Sequence, residues 1–197
     1  MKPDKIRRNN LPVLFIMIMG ASLASCAPRP SATAPIPQPT SPYTGLLDSP
    51  IRGLSVEEIS ELETGAGAGF ARAAELNGYP GPRHILDLQS QLELSSDQLA
   101  RIQTLYDEMN GEARRLGTEI LQMESDLELA FRNQTIDEDS LASQVAALAD
   151  NYGELRLLHL RTHLAAIDFL TPHQLVLYNQ LRGYTEAHPG GQGHEHP

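Results

Sequence analysis

From Leu94 onward, apolar residues recur at steps of three and four: Leu99, Ile102, Tyr106, Met109, Ala113, Leu116, Ile120, Met123, Leu127 and Ala130. A seam of this kind marks a long helix with one stripe buried against another helix. It predicts a helix over 95–132, about 57 Å long at 1.5 Å per residue. Gly111 and Gly117 lie inside it and each weakens it by about 1 kcal/mol relative to Ala. Asn133-Gln134 interrupts the pattern, and Thr135-Ile-Asp-Glu138 offers a capping box. A second seam follows: Leu141, Val145, Leu148, Tyr152, Leu155, His159, Thr162, Ala166 and Phe169. Two long helices joined by so short a break return antiparallel.

Three further segments share one start signal. They are Leu54-Ser-Val-Glu-Glu58, Leu94-Ser-Ser-Asp-Gln98 and Leu170-Thr-Pro-His-Gln174. In each, Ser55, Ser95 or Thr171 can cap a helix while Glu58, Gln98 or Gln174 bonds back three residues on. The preceding Leu54, Leu94 or Leu170 pairs with Ile59, Leu99 or Leu175 as a hydrophobic staple. Ser55–Thr64 and Phe70–Asn77 read as helices, joined by Gly65-Ala-Gly-Ala-Gly69. A glycine-rich loop cradles phosphate only between a strand and a helix, and no strand precedes this one, so it reads as a hinge. Tyr79-Pro-Gly-Pro82 forces a turn. A short helix is predicted over His84–Leu92 and a last one from Thr171 to Arg182. Regularly spaced, alternating β-branched runs are missing, so the pattern predicts an all-α fold. Its centre is a long antiparallel helical hairpin with short flanking helices, over residues 53–185.

The N-terminus reads differently. Lys2, Lys5, Arg7 and Arg8 precede the apolar run Leu11–Met19, and small residues lead to Cys26. Basic, apolar and small regions in that order make a bacterial export signal over residues 1–25. The run is too short for a membrane span, which needs about 20 apolar residues. Residues 26–52 are rich in Pro, Ser, Thr and Ala and predict an extended spacer. Residues 186–197 read as a Gly-rich tail carrying His188, His194 and His196.

The 197-residue chain has a net charge of −10, which argues against nucleic acid as a partner. Removal of residues 1–25 takes four basic residues and Asp4, leaving 11 basic against 24 acidic residues, with every cation an Arg. A single Cys excludes an internal disulfide framework. Neither a nucleophile triad, nor paired catalytic carboxylates, nor a phosphate loop emerges, so the expectation is a protein that is not an enzyme.

Leu23-Ala-Ser-Cys26 resembles the lipobox of bacterial lipoproteins. That resemblance implies lipidation at Cys26 and, with Ala27 following, a periplasmic domain anchored to the outer membrane. The two L-[ST]-x-x-Q motifs (Leu94, Ser95, Gln98 and Leu170, Thr171, Gln174) flank the hairpin of an exported chain. In this the chain resembles the Spy/CpxP family, which includes periplasmic heavy-metal sensors and zinc-resistance-associated proteins. Ala71–Pro82 and the ending through Leu181-Arg-Gly-Tyr184 are similar to a lipoprotein branch of it. The resemblance spans residues 54–184. It implies a four-helix protomer, often a dimer, ATP-independent chaperoning of unfolded envelope proteins, transition-metal binding or sensing, and control by two-component envelope-stress systems; an adaptor role, in which the hairpin dimerises and docks a sensor, is a further alternative. The Spy-like cradle is basic, whereas this chain is acidic, which argues against charge-steered capture of acidic clients.

His159 and His163 lie four apart on a predicted helix, so both imidazoles share a face and reach one ion. Pairing Arg132 with Asp137 across the turn places His159 opposite Asn110, beside Met109, and His163 opposite Tyr106. Met109 and Glu112 are then candidate ligands from the facing helix. His84, with Asp87 nearby, is a further candidate, because the metal-sensing relatives carry His at the start of their first short helix. A His, Met and carboxylate set suits Zn, Ni, Co or Cu. The alternative is that His159 is a hydrogen-bonded core residue and His163 a half-exposed one. His173 points outward in its capping motif.

Overall fold

Six α-helices and two 3-10 turns order residues 40–184, the part of the chain that the computed structural model describes. The export signal, Cys26, most of the spacer and the histidines of the tail lie outside these residues. The helices are α1 (Val56–Thr64), α2 (Arg72–Glu75), α3 (Pro82–Asp87), α4 (Ser96–Arg132), α5 (Glu138–Ala166) and α6 (Pro172–Leu181). The fold is all-α, with α4 and α5 packed on each other as an extended hairpin.

The start signals act as capping boxes at α1, α4 and α6. Ser55, Ser95 and Thr171 each accept the backbone N–H three residues on, at 3.2 Å. Glu58, Gln98 and Gln174 accept the cap residue's own N–H in return. At α5 the cap is Asp137 with Ser140, not Thr135 with Glu138. Thr135 is already engaged. Gln134 takes a left-handed conformation (φ 56°), and the N–H groups of Gln134 and Thr135 donate to Phe131 and Ala130. These bonds close α4 with a Schellman motif, so the cap of α5 falls two residues later, at Asp137.

The short elements are shorter than periodicity suggests. The helix expected over Phe70–Asn77 is the single turn α2, and that expected over His84–Leu92 ends at Asp87. Order also begins before residue 53. Ser49 is buried and donates its hydroxyl to the Leu54 carbonyl at 2.6 Å, and Ile51 packs against the core.

Two apolar clusters share the α4 seam. Leu54, Leu62, Met109, Ala113, Leu116, Ile120, Leu148 and Leu155 form one, among α1, α4 and α5. Ile85, Leu92, Ile102, Ala166 and Tyr178 form the other, among α3, α4, the end of α5 and α6. Towards the hairpin turn Leu127, Ala130 and Leu141 are only half-buried and Val145 is exposed. The third helix of the first cluster stops short there, since Gly53, just ahead of α1, lies beside Glu124.

Helix α1 ends hard against α4. A Cβ at Gly117 would lie 2.1 Å from the Leu62 carbonyl oxygen. Asn110 donates to the Thr64 carbonyl at 2.8 Å and Arg114 to that of Glu63 at 3.2 Å. Side chains of α4 thus satisfy the carbonyls that a helix C-terminus leaves free, and one carries the positive charge that such an end favours. From this fixed point the chain crosses to α2 and α3, forming a strap over the middle of the hairpin.

Candidate functional site

The strap and the hairpin frame a half-open cavity of about 460 Å³, within the usual range for ligand sites. Its walls are the glycine-rich loop, α2, the start of α3, and the facing stretches of α4 and α5. It lies where α4 passes from one apolar cluster to the other, around Tyr106 and Met109. His84, Met109, His159 and His163 all line it. Four residues singled out by spacing and resemblance therefore share one wall-to-wall space.

Glu112 does not join them. Three residues beyond Met109, it is rotated about 60° around α4 from it. It is exposed, and Arg115 holds it in an ion pair at 2.7 Å that lowers its pKa.

His159 is 4% exposed. Its ring stacks on Phe70, with centroids 6.0 Å apart and planes 15° from parallel. Nε2 is sealed from solvent and has no hydrogen-bond partner. His159 is thus a core residue and His163 a half-buried one, as in the alternative reading, while His159 Nε2 lacks a hydrogen-bond partner. Burial, and then the neighbouring His163, push its pKa down to about 4. The imidazole is neutral at physiological pH and keeps a lone pair.

His163 is held from behind. Its Nδ1 lies 2.8 Å from the Tyr79 carbonyl, which can only accept, so Nδ1 carries the proton. In the neutral ring Nε2 is then the bare nitrogen. It sits beside Gly81, where a Cβ would lie 2.8 Å away, so the imidazole fits only against glycine. Donation of the second ring N–H to a backbone carbonyl is how metal-ligating histidines are oriented. His84 is half-buried, its Nδ1 3.7 Å from the Asp87 carboxylate. Burial lowers its pKa, and Arg182 adds to the effect.

Glu75 is a participant that sequence reasoning passed over. It is 8% exposed and lies on the cavity wall. One carboxylate oxygen accepts the Gly81 N–H at 3.1 Å and lies 3.6 Å from His163 Nδ1. The other accepts the Tyr178 hydroxyl and lies 3.4 Å from Arg182 Nε. Burial and this carboxylate raise the Tyr178 pKa, so the phenol stays protonated and donates. Glu75 thereby ties α2 to the start of α3, to His163 on α5 and to α6.

Among the described residues, no group of three or more His, Cys, Asp or Glu side chains is arranged to hold a metal ion. The donor types fit a borderline ion, because imidazole nitrogens and a thioether are its natural ligands. Their number fits one that keeps part of its shell from outside the protein. Comparison with protein families, with curated proteins and with solved structures finds no match to the chain.

Proposed function

We propose that the chain is a lipid-anchored envelope-stress protein of the bacterial periplasm that binds a divalent transition ion in the cavity under the strap. The observation that carries this reading is that His159, whose Nε2 has no hydrogen-bond partner, and His163, whose Nδ1 is held by the Tyr79 carbonyl, line one cavity with Met109 and His84. His159 and His163 supply nitrogen, Met109 supplies sulfur, and His84 approaches from α3. Zn, Ni, Co and Cu are the ions this donor set suits. Anchoring through Cys26 is the role proposed for the N-terminus. Calorimetry of the full chain with each ion tests the site. Binding that falls at least tenfold in His159→Ala/His163→Ala is expected. Affinity unchanged by the double substitution, or none in the wild type, rejects it.

A second reading is a holdase-type chaperone or adaptor acting as a dimer. It is favoured by Leu129, Phe131 and Val145, which are exposed near the hairpin turn although they are large and apolar. Suppressed aggregation of an unfolded test protein, independent of metal and lost on Phe131→Ser/Val145→Ser, is the outcome expected of it.

A further inference from the structure

Three features of the cavity do not suit a bare cation. The first is charge. Arg72 and Arg83 both line it. Glu75 is the carboxylate in the wall, and it is engaged by Tyr178, the Gly81 N–H and Arg182. The lining therefore leans positive within a chain of net charge −10. A naked divalent ion entering here meets two guanidinium groups, of which Arg83 is paired with Asp87 at 3.3 Å, and no lining carboxylate besides the engaged Glu75.

The second feature is size. An ion with six waters occupies roughly 200 Å³, at about 30 Å³ per water. The cavity holds about 460 Å³. The third is incomplete coordination. Two imidazoles and a thioether, with His84 approaching from α3, leave positions to be filled, and no group of three His, Cys, Asp or Glu side chains is arranged to hold the ion among the described residues.

All three are met by one class of ligand. Resting on the metal-binding reading above, we propose that the cavity takes the ion as a complex with a small polycarboxylate. The complex is neutral or anionic, so Arg72 and Arg83 attract it. Guanidinium forks suit carboxylate geometry. Arg83 is already set towards the cavity by Tyr106, to whose hydroxyl it donates at 3.4 Å, and by Asp87 at 3.3 Å. Arg72 is exposed and its guanidinium lies beside Gly69, where a Cβ would come within 2.6 Å of its nitrogen. The imidazoles of His159 and His163 fill the coordination positions that the carboxylates leave open. No bond is made or broken beyond exchange of water for imidazole at the ion.

The test is equilibrium dialysis of the full chain with labelled nickel(II) and labelled citrate, separately and together. Excess citrate depletes free nickel, so a site for the bare ion must lose apparent affinity when citrate is added. The proposal expects the opposite: nickel and citrate retained together in equal amounts, at least tenfold more tightly than either alone. It expects Arg72→Gln/Arg83→Gln to abolish citrate retention, and His159→Ala/His163→Ala to abolish nickel retention. Nickel retained without citrate, and weakened by it, overturns the proposal while leaving the metal site standing. Citrate retained equally well without nickel overturns it in favour of a plain carboxylate site. Full co-retention by the arginine variant removes its recognition argument and overturns it too. Retention of neither ligand rejects the metal-binding reading and this proposal with it.

Discussion

Gly111 and Gly117 sit in the same helix with opposite consequences for substitution. Nothing lies within 4 Å of a Cβ placed at Gly111. Gly111→Ala is therefore expected to raise stability by about 0.5–1 kcal/mol, the helical advantage of Ala. At Gly117 the Leu62 carbonyl oxygen occupies that space, 2.1 Å away. Gly117→Ala must push α1 off α4 and is expected to lower stability by about 1–3 kcal/mol, as overpacking does. Urea midpoints of the two variants check both signs. Periodicity alone assigns both glycines the same weakening, because the crossing of α1 is a long-range fact. Glu75 was illegible for a related reason. Its helix is a single turn, too short for a periodic pattern, and a lone acid after Ala73 and Ala74 looks solvated. Its partner Tyr178 lies 103 residues away. By contrast His159 and His163 were legible, because spacing of four on a long seam fixes their face.

The two glutamine motifs do more than start their helices. Gln98 and Gln174 bond to each other, amide to amide, at 2.8 and 3.2 Å. Gln98 also donates to the Phe169 carbonyl at 2.8 Å, and Gln174 to that of Leu92 at 3.0 Å. Each amide oxygen caps its own helix while each NH2 group reaches across to the other motif. A carboxylate keeps the first task and loses the second. Gln174→Glu is expected to cost about 1–3 kcal/mol, since it leaves the buried Leu92 carbonyl without a donor and sets like dipoles together. Glu58, at the same place in the first motif, is exposed and reaches no second motif, so Glu58→Gln should change stability by under about 0.5 kcal/mol. Chemical denaturation of the pair decides whether the exchange between motifs matters. Capping boxes are local patterns, and three-residue spacing revealed them. That the two would meet follows from the antiparallel return of α5, which brings the start of α6 to the start of α4. The shifted start of α5 was hidden because the Schellman closure at Gln134 uses a residue with no glycine signature.

For the whole molecule, the buried imidazole couples stability to pH and to metal. The folded pKa of His159 is near 4, against an ordinary value of 6.5. The folded state thus binds fewer protons than the unfolded one across that interval. The stability contributed is present above 6.5 and is lost as pH falls towards 4, to an upper limit of about 3 kcal/mol. His84 is shifted in the same direction and adds to the same slope. His159→Leu should flatten the dependence of Tm on pH between 6.5 and 4. A ligand that binds only the folded state adds about 2.7 kcal/mol at a hundredfold excess over its Kd. Because His159 resists protonation, that stabilisation should persist at pH 6, where an ordinary histidine is largely charged and unable to ligate. Scanning calorimetry at pH 7.5 and 6, with and without nickel(II) and citrate, is expected to show nearly equal upward shifts in Tm for the wild type and none for His159→Ala/His163→Ala. A shift that disappears already at pH 6 would mean that the ion is not held by the buried His159.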